Sequence, residues 1–101
     1  MKKTSLSLDS TVVAGRDQVS TALPGEVILL QLKQGTYFGL NGEVGAKVWE
    51  LLKEPRRVSQ IRDSLLDEFK VEPRRCEKDL VALLKELLRE GLAEIRNGKD
   101  S

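Results

Sequence analysis

Apolar and polar positions in the first half of the chain predict β-strands, beginning with Gln18–Leu23, where every second residue (Val19, Thr21, Leu23) falls on one face. Pro24-Gly25 and Lys33-Gln34-Gly35 separate the strand segments and supply the residues that tight turns need. The middle segment is apolar on both faces, which is typical of a central strand with a neighbour on each side. The predicted strands are Gln18–Leu23, Glu26–Leu32 and Thr36–Leu40, joined as an antiparallel meander.

The second half of the chain changes to a helical period, with apolar residues three and four positions apart. Asn41 is a good N-cap residue, Pro73 suits the first position of a helix, and Gly91 suits a helix end. Gly45 and Ala46 lack bulk and allow the first helix to approach the sheet, with Trp49 as a core anchor. The predicted helices are Gly42–Leu52, Val58–Phe69 and Pro73–Glu90.

This order of elements predicts an α+β fold: a winged helix-turn-helix-like domain, with a three-stranded antiparallel sheet followed by three helices. We expect residues 17–96 to form the single domain, with a short strand or extended tail at Leu92–Arg96. Residues Met1–Arg16 are polar with short apolar pairs, and we expect a flexible N-terminal arm with at most a marginal strand. Asn97–Ser101 is expected to be a disordered tail.

The third predicted strand passes directly into a helix, and such a strand tends to lie at the edge of a sheet. Proteins usually cover an open edge with another element or place charged side chains on it. The predicted edge strand instead carries the uncharged residues Tyr37, Phe38 and Leu40. The segment Thr36–Leu40 is therefore a candidate docking site for a peptide strand. The same open edge also predicts a homodimer in which two copies pair through it when no peptide is bound.

The third predicted helix has an unusually wide apolar stripe. On a helical wheel with about 100° per residue it covers roughly 160°, whereas one packing contact needs roughly 100°. The stripe begins at Leu83 and Cys76, runs through Leu87, Leu80 and Leu84, and ends at Leu88 and Val81. Either both flanks pack inside the domain, or one flank forms a groove with the third strand.

Composition excludes several classes of function. The chain has 101 residues, a net charge of +1, no histidine and one cysteine. Without histidine or a second thiol we expect no metal site, no cofactor and no catalysis. Cys76 alone is expected to be a small buried hydrophobe. The chain contains no apolar run of roughly 18 to 20 residues, so we expect no membrane segment and a cytoplasmic protein.

Several fragments, taken together in order and spacing, resemble the PqqD-like family of recognition elements for ribosomally made, modified peptides. They are Leu29–Leu30, Gly35–Asn41, Val44–Leu52 and Cys76–Leu84, within a match from about Val19 to Leu92. The chain is most similar to the family's free-standing leader-binding form in lasso-peptide biosynthesis. The resemblance implies that a precursor's leader binds as a fourth antiparallel strand and is presented to a separate leader peptidase and then a cyclase.

The resemblance also implies a peptide-binding site on the third strand and third helix. Asp79 flanks the apolar stripe, where it would either meet a polar or basic leader group or remain an exposed helix charge. The implied site residues are Thr36, Tyr37, Phe38, Gly39, Leu40, Cys76, Asp79, Leu80, Leu83 and Leu84.

The alternative function is a winged-helix DNA-binding regulator. That function would require the exposed face of the third helix to be rich in basic and amide side chains. The face instead mixes basic and acidic residues, whose charges largely cancel. They are Arg74, Arg75, Glu77, Lys78, Lys85, Glu86, Arg89 and Glu90. A third alternative is a small enzyme, but the sequence offers no activated catalytic group to support it.

Overall fold

The computed structural model describes residues 6–96 and confirms the α+β class. The three predicted strands form one antiparallel sheet, here called the main sheet, in the order β2-β3-β4. They are β2 (Gln18–Leu23), β3 (Glu26–Gln31) and β4 (Thr36–Asn41). Turn glycines with positive φ join them, at 79° for Gly25 and 69° for Gly35. The central position of β3 and the edge position of β4 are both as predicted.

A second sheet, which sequence patterns did not predict, brings the two ends of the described chain together. It has the order β5-β1-β6, formed by β1 (Thr11–Ala14), β5 (Arg56–Arg57) and β6 (Ala93–Ile95). The prediction of a flexible arm is therefore wrong for Thr11–Ala14, where Val12 is fully buried. The short pair Val12-Val13 shows no period by itself, and the strands that pair with β1 lie about 45 and 80 residues further along the chain. Met1–Ser5 and Asn97–Ser101 lie outside the described residues.

Three helices follow the main sheet along the chain, and the first of them packs against its inner face at β3 and β4. They are α1 (Gly42–Leu51), α2 (Val58–Glu68) and α3 (Pro73–Arg89), each close to its predicted bounds. Asn41 occupies the N-cap position of α1, but its side chain makes no capping hydrogen bond. Gly42 explains the start of this helix, because its φ of 86° suits glycine and its N–H donates to the Gly25 carbonyl at 2.8 Å.

The core lies between the main sheet and the helices. Its fully buried members come from every layer, which ties the two sheets and three helices into one unit. Trp49 is 4% exposed and serves as the predicted core anchor. The largest fully buried side chains are Leu29, Leu52, Ile61, Leu65, Leu84, Leu87 and Leu92. Within residues 6–96, no helix combines the length and apolar composition that crossing a bilayer requires.

Candidate functional site: an apolar groove beside an open strand edge

Strand β4 pairs with β3 on one side, and within residues 6–96 its other side is an open edge. Its side chains alternate between the two faces of the sheet, as the pleat requires. Phe38 is half-buried and Leu40 is buried, both facing the helices, whereas Tyr37 is 73% exposed on the opposite face. The strand contains no charged residue and no proline. It therefore lacks the common devices that prevent another strand from pairing with an edge.

A groove of about 610 Å³ runs beside this edge, between β4, α1 and α3. Its volume is in the range of sites that hold a ligand in proteins. Most of its surface is apolar, and its polar side chains all belong to Asn41 and the α3 wall. The lining residues are Phe38, Gly39, Leu40, Asn41, Val44, Gly45, Val48, Leu65, Val71, Glu72, Arg75, Cys76, Asp79, Leu80, Leu83 and Glu86.

Helix α3 supplies one wall through a single flank of its wide apolar stripe. Cys76 and Leu80 are buried at the base of this wall, and Leu83 is half-buried above them. On the opposite flank, Val81 and Leu88 are partly buried and pack against the core. The stripe is therefore wide because its centre and both flanks contact the core, and one of these flanks also borders the groove.

Seven of the ten site residues expected from the sequence line the groove, and three do not. Leu84 is fully buried in the core, so its predicted place in the groove is wrong. Its Cα lies one residue beyond Leu83, and the helical period turns its side chain by about 100° towards the protein interior. Thr36 and Tyr37 lie on the open edge outside the groove. The residues that line it are Phe38, Gly39, Leu40, Cys76, Asp79, Leu80 and Leu83.

Sequence reasoning missed the contribution of α1 to this site. The helical spacing of Val44 and Val48 puts both on one apolar stripe and predicts that both face the core, but Val44 is 38% exposed and borders the groove together with Val48. Gly45 also lines the groove, and a Cβ there would lie 3.4 Å from the Leu40 Cβ. Helix α1 thus lies close against the end of β4, as the small residues at positions 45 and 46 predicted. The sequence signal was present, but it indicated close packing and not a binding wall.

Charged groups lie along the α3 rim of the groove. The Arg75 guanidinium approaches the Asp79 carboxylate at 3.9 Å, with both side chains more than 70% exposed. Such an exposed pair contributes little to stability. The Glu72 carboxylate accepts a hydrogen bond from the Arg75 N–H at 2.8 Å and caps the helix. Asp79 is thus an exposed charge at the groove rim, a position compatible with both of its predicted roles.

The site contains one thiol, Cys76. Burial raises its pKa above the usual value of 9.0, and the nearby Asp79 carboxylate raises the pKa further. A thiol with a raised pKa remains protonated near neutral pH, which makes it a poor nucleophile. Within residues 6–96, no group of three or more His, Cys, Asp or Glu side chains is arranged to hold a metal ion. The described site offers shape, apolar surface and backbone hydrogen bonds.

Fold and site together define a small α+β domain that presents an open strand edge beside an apolar groove. The sequence model of the family described as coenzyme PQQ synthesis protein D (PqqD) matches residues 26–93, more than half of the chain. The protein belongs to this family, which confirms the resemblance deduced from the sequence. The match begins at β3 and ends within β6, so it includes both walls of the groove.

Two solved structures share the fold. One is TbiB1 in complex with the TbiA(beta) leader peptide, 38% identical, with a TM-score of 0.73 over 81% of this chain and 94% of that chain. The other is a lasso peptide synthetase B1 complexed with its leader peptide, 23% identical, with a TM-score of 0.70 over 82% of this chain and 96% of that chain. No curated protein sequence matches the chain.

Proposed function

We propose that this protein binds the leader region of a ribosomally made precursor peptide as a strand added antiparallel to β4. The observation that carries the proposal is the open, uncharged edge of β4 beside a groove lined mainly by apolar side chains. The 38% identical TbiB1 was solved with a leader peptide, which supports the same class of ligand here. In strand addition, backbone hydrogen bonds supply affinity and pockets for alternate side chains supply specificity.

The energetics of this arrangement are sufficient for specific binding. A strand along the six residues of β4 would form four or five backbone hydrogen bonds at about 1 kcal/mol net each. One or two buried leucine or aromatic side chains would add roughly 2 kcal/mol apiece in the groove. Ordering a flexible peptide offsets part of this gain. We therefore expect dissociation constants on the order of micromolar to nanomolar.

We further propose that the protein is a non-catalytic adaptor that delivers the bound precursor to a separate leader peptidase and then to a lasso cyclase. The groove supplies contacts without an activated nucleophile, because the pKa of Cys76 is raised. An adaptor of this kind acts by raising the effective concentration of the precursor near the peptidase. It should therefore accelerate leader removal until all precursor is bound, and excess free leader should suppress the gain. Cleavage of the precursor by the purified protein alone would contradict this role.

The DNA-binding alternative gains no support from the exposed face of α3. Glu77 on this face pairs with Arg62 of α2 at 3.3 Å, and its basic neighbours alternate with acidic residues. A face of mixed sign does not attract the phosphate backbone in the way that a basic stripe does.

The strand-addition mode can be tested through the backbone of the peptide. The probe is the TbiA(beta) leader peptide or, if that binds more weakly than about 100 μM, a twelve-residue peptide selected by display on the wild-type protein. N-methyl groups are introduced one residue at a time, and binding is measured by isothermal titration calorimetry. Because alternate backbone N–H groups of an added strand face β4, we expect binding to be lost at every second residue of the paired segment.

Peptide residues whose N–H groups face away from the sheet are the internal controls, because N-methylation there removes no hydrogen bond to β4. An N-methyl scan with no period of two would contradict strand addition. Failure of every peptide to bind the folded wild-type protein would contradict peptide recognition altogether.

A further inference from the structure

The outer face of the main sheet, which is turned away from the helices, carries an apolar row that ends at the open edge. Val19 of β2 is directly opposite Leu30 of β3, and Leu30 is directly opposite Tyr37 of β4. Val19 is 51% exposed and Tyr37 is 73% exposed. The row therefore runs straight across three strands and stops where a fourth strand would begin.

The adjacent row on the same face has a gap at the open edge. It consists of Thr21, Ile28 and Gly39, again directly opposite one another. A Cβ at Gly39 would lie 3.9 Å from Ile28 Cδ1, which is ordinary contact, and the φ of Gly39 is not positive. Backbone conformation therefore does not require glycine here. Its effect is to leave the half-buried Ile28 side chain accessible from the edge.

Strand addition places a peptide where both rows can be extended. Alternate side chains of an added strand face opposite sides of the sheet, so only half of them enter the groove. The other half face outward, directly opposite Tyr37 and Gly39. Residues opposite each other in an antiparallel pair have Cβ atoms about 4.5–5.5 Å apart, within contact distance.

We propose that Tyr37, together with Ile28 beneath the gap at Gly39, forms a second recognition surface that reads the outward-facing side chains of the bound leader. This inference rests on the proposed function and adds the chemistry of the leader. The residue opposite Tyr37 is aromatic or β-branched, since such cross-strand pairs stabilise a sheet. The residue opposite Gly39 has a long apolar side chain that lies across the glycine and contacts Ile28. The leader is thus read on both faces of its strand.

The composition of the edge favours a binding role for Tyr37 over a role in sheet formation alone. Proteins commonly protect open edges with charged side chains, especially lysine. Here the outward edge positions of β4 that follow Thr36 are Tyr37, Gly39 and Asn41, and none is charged. An aromatic side chain that is 73% exposed has most of its surface available for a partner. If Tyr37 only stabilised the sheet, replacing it would change the affinity of every bound peptide by the same factor, whatever residue lies opposite position 37.

The test is an alanine scan of the same peptide probe, measured against wild-type protein and two matched variants. Tyr37→Ser removes the edge end of the apolar row, and Val19→Ser removes its far end on β2. We expect Tyr37→Ser to weaken binding by about three- to fivefold, in keeping with cross-strand pairs, and Val19→Ser to leave it unchanged. We expect Tyr37→Phe to bind as wild type, because the ring supplies the contact. Urea unfolding of each variant verifies that the sheet is intact.

The decisive readout is coupling between one protein residue and one peptide residue. On wild-type protein, truncating the outward residue opposite Tyr37 should cost about three- to fivefold in affinity. On Tyr37→Ser the same truncation should cost nothing, while truncation of groove-facing residues keeps its full effect. In the same way, truncating the peptide residue opposite Gly39 should weaken binding to wild-type protein but not to Ile28→Ala.

The outcomes separate this inference from the proposed function. If wild-type binding depends on groove-facing residues and on alternate backbone N–H groups, but not on outward residues, the outer recognition surface is wrong and strand addition stands. Equal weakening of all peptides by Tyr37→Ser would also overturn the surface, because it would show a general effect on the sheet. If no peptide binds the wild-type protein, both proposals fail together.

Discussion

Within residues 6–96 the main sheet has two open edges, β2 and β4, and they differ in what lies beside them. Both strands have six residues, and both lack charged residues. Five of the six residues of β2 are exposed, including those on the face towards the helices. In β4, Phe38 is half-buried, Leu40 is buried, and the groove between α1 and α3 runs alongside.

This difference shows why an open strand edge alone is a weak indicator of a binding site. An edge offers backbone hydrogen bonds, which contribute only about 1 kcal/mol net each and do not distinguish one sequence from another. Beside β4, an added strand would also bury apolar side chains at about 25 cal/mol per Å². Affinity and specificity are therefore expected at β4, whereas β2 offers hydrogen bonds and the exposed side chains of Val19 and Leu23 but no groove.

The largest expected effect separates the core from the groove wall on α3. Leu84→Ala should lower the free energy of unfolding by about 2–5 kcal/mol, because Leu84 is fully buried and its truncation leaves a cavity. Leu83→Ala should cost less stability, because Leu83 is half-buried at the groove. Urea unfolding measures both variants, and titration of the peptide probe should show the larger loss of affinity for Leu83→Ala.

Leu87→Ala is the matched control for Leu84→Ala, since Leu87 is also fully buried on the same helix and lies outside the groove. Equal destabilisation by the Leu83, Leu84 and Leu87 substitutions, without a specific loss of binding, would show that the whole stripe is core.

The next effect compares apolar side chains on the two edges directly. Phe38→Ala should weaken peptide binding by about 3- to 10-fold, because Phe38 is half-buried in the free protein and the peptide would bury only its remaining exposed surface, at about 25 cal/mol per Å². Leu23→Ala on β2 also removes an apolar side chain, one that is 44% exposed, and should leave affinity unchanged. Circular dichroism verifies folding, and calorimetric titration gives both affinities. A comparable loss for Leu23→Ala would place part of the peptide on β2.

The smallest effect concerns self-association. The predicted homodimer pairs two copies through β4, so saturating peptide should convert it to monomer in analytical ultracentrifugation. Gly39→Lys and Thr21→Lys are matched variants, because the two residues lie in one row at opposite edges of the sheet. A lysine at an edge disfavours pairing with another strand, so Gly39→Lys should abolish the dimer and Thr21→Lys should not. A dimer that persists with bound peptide would contradict pairing through β4 and would show that the two copies contact each other through another surface.

Local patterns were sufficient to predict most of the fold. The period of two located β2, a run that is apolar on both faces located β3, and turn residues such as Gly25 and Gly35 separated β3 from β2 and β4. The helical period located all three helices to within a residue or two at each end. These predictions succeeded because strands and helices of this length are determined by residues that are near one another in the sequence.

The residues that line the groove were predicted where they belong to a strand edge or a helix face. The prediction failed where two residues adjacent in the sequence are separated, one to the groove and the other to the core, by contacts with other elements. Leu83 and Leu84 are adjacent members of one apolar stripe, and only contacts with other elements assign the first to the groove and the second to the core. Val44 shares its stripe with Val48, yet Val44 is exposed at the groove whereas Val48 is buried, and the sequence period does not distinguish the two.

The sequence by itself determined the three strands of the main sheet, the three helices, the open edge of β4 and the excess of apolar residues on α3. Tertiary structure alone decided that Thr11–Ala14 joins Ala93–Ile95 in a second sheet and that α1 closes one side of the groove. The physical reason is the range of the interactions. Periodicity reports which residues share a face, but the surface that covers this face comes from segments tens of residues away.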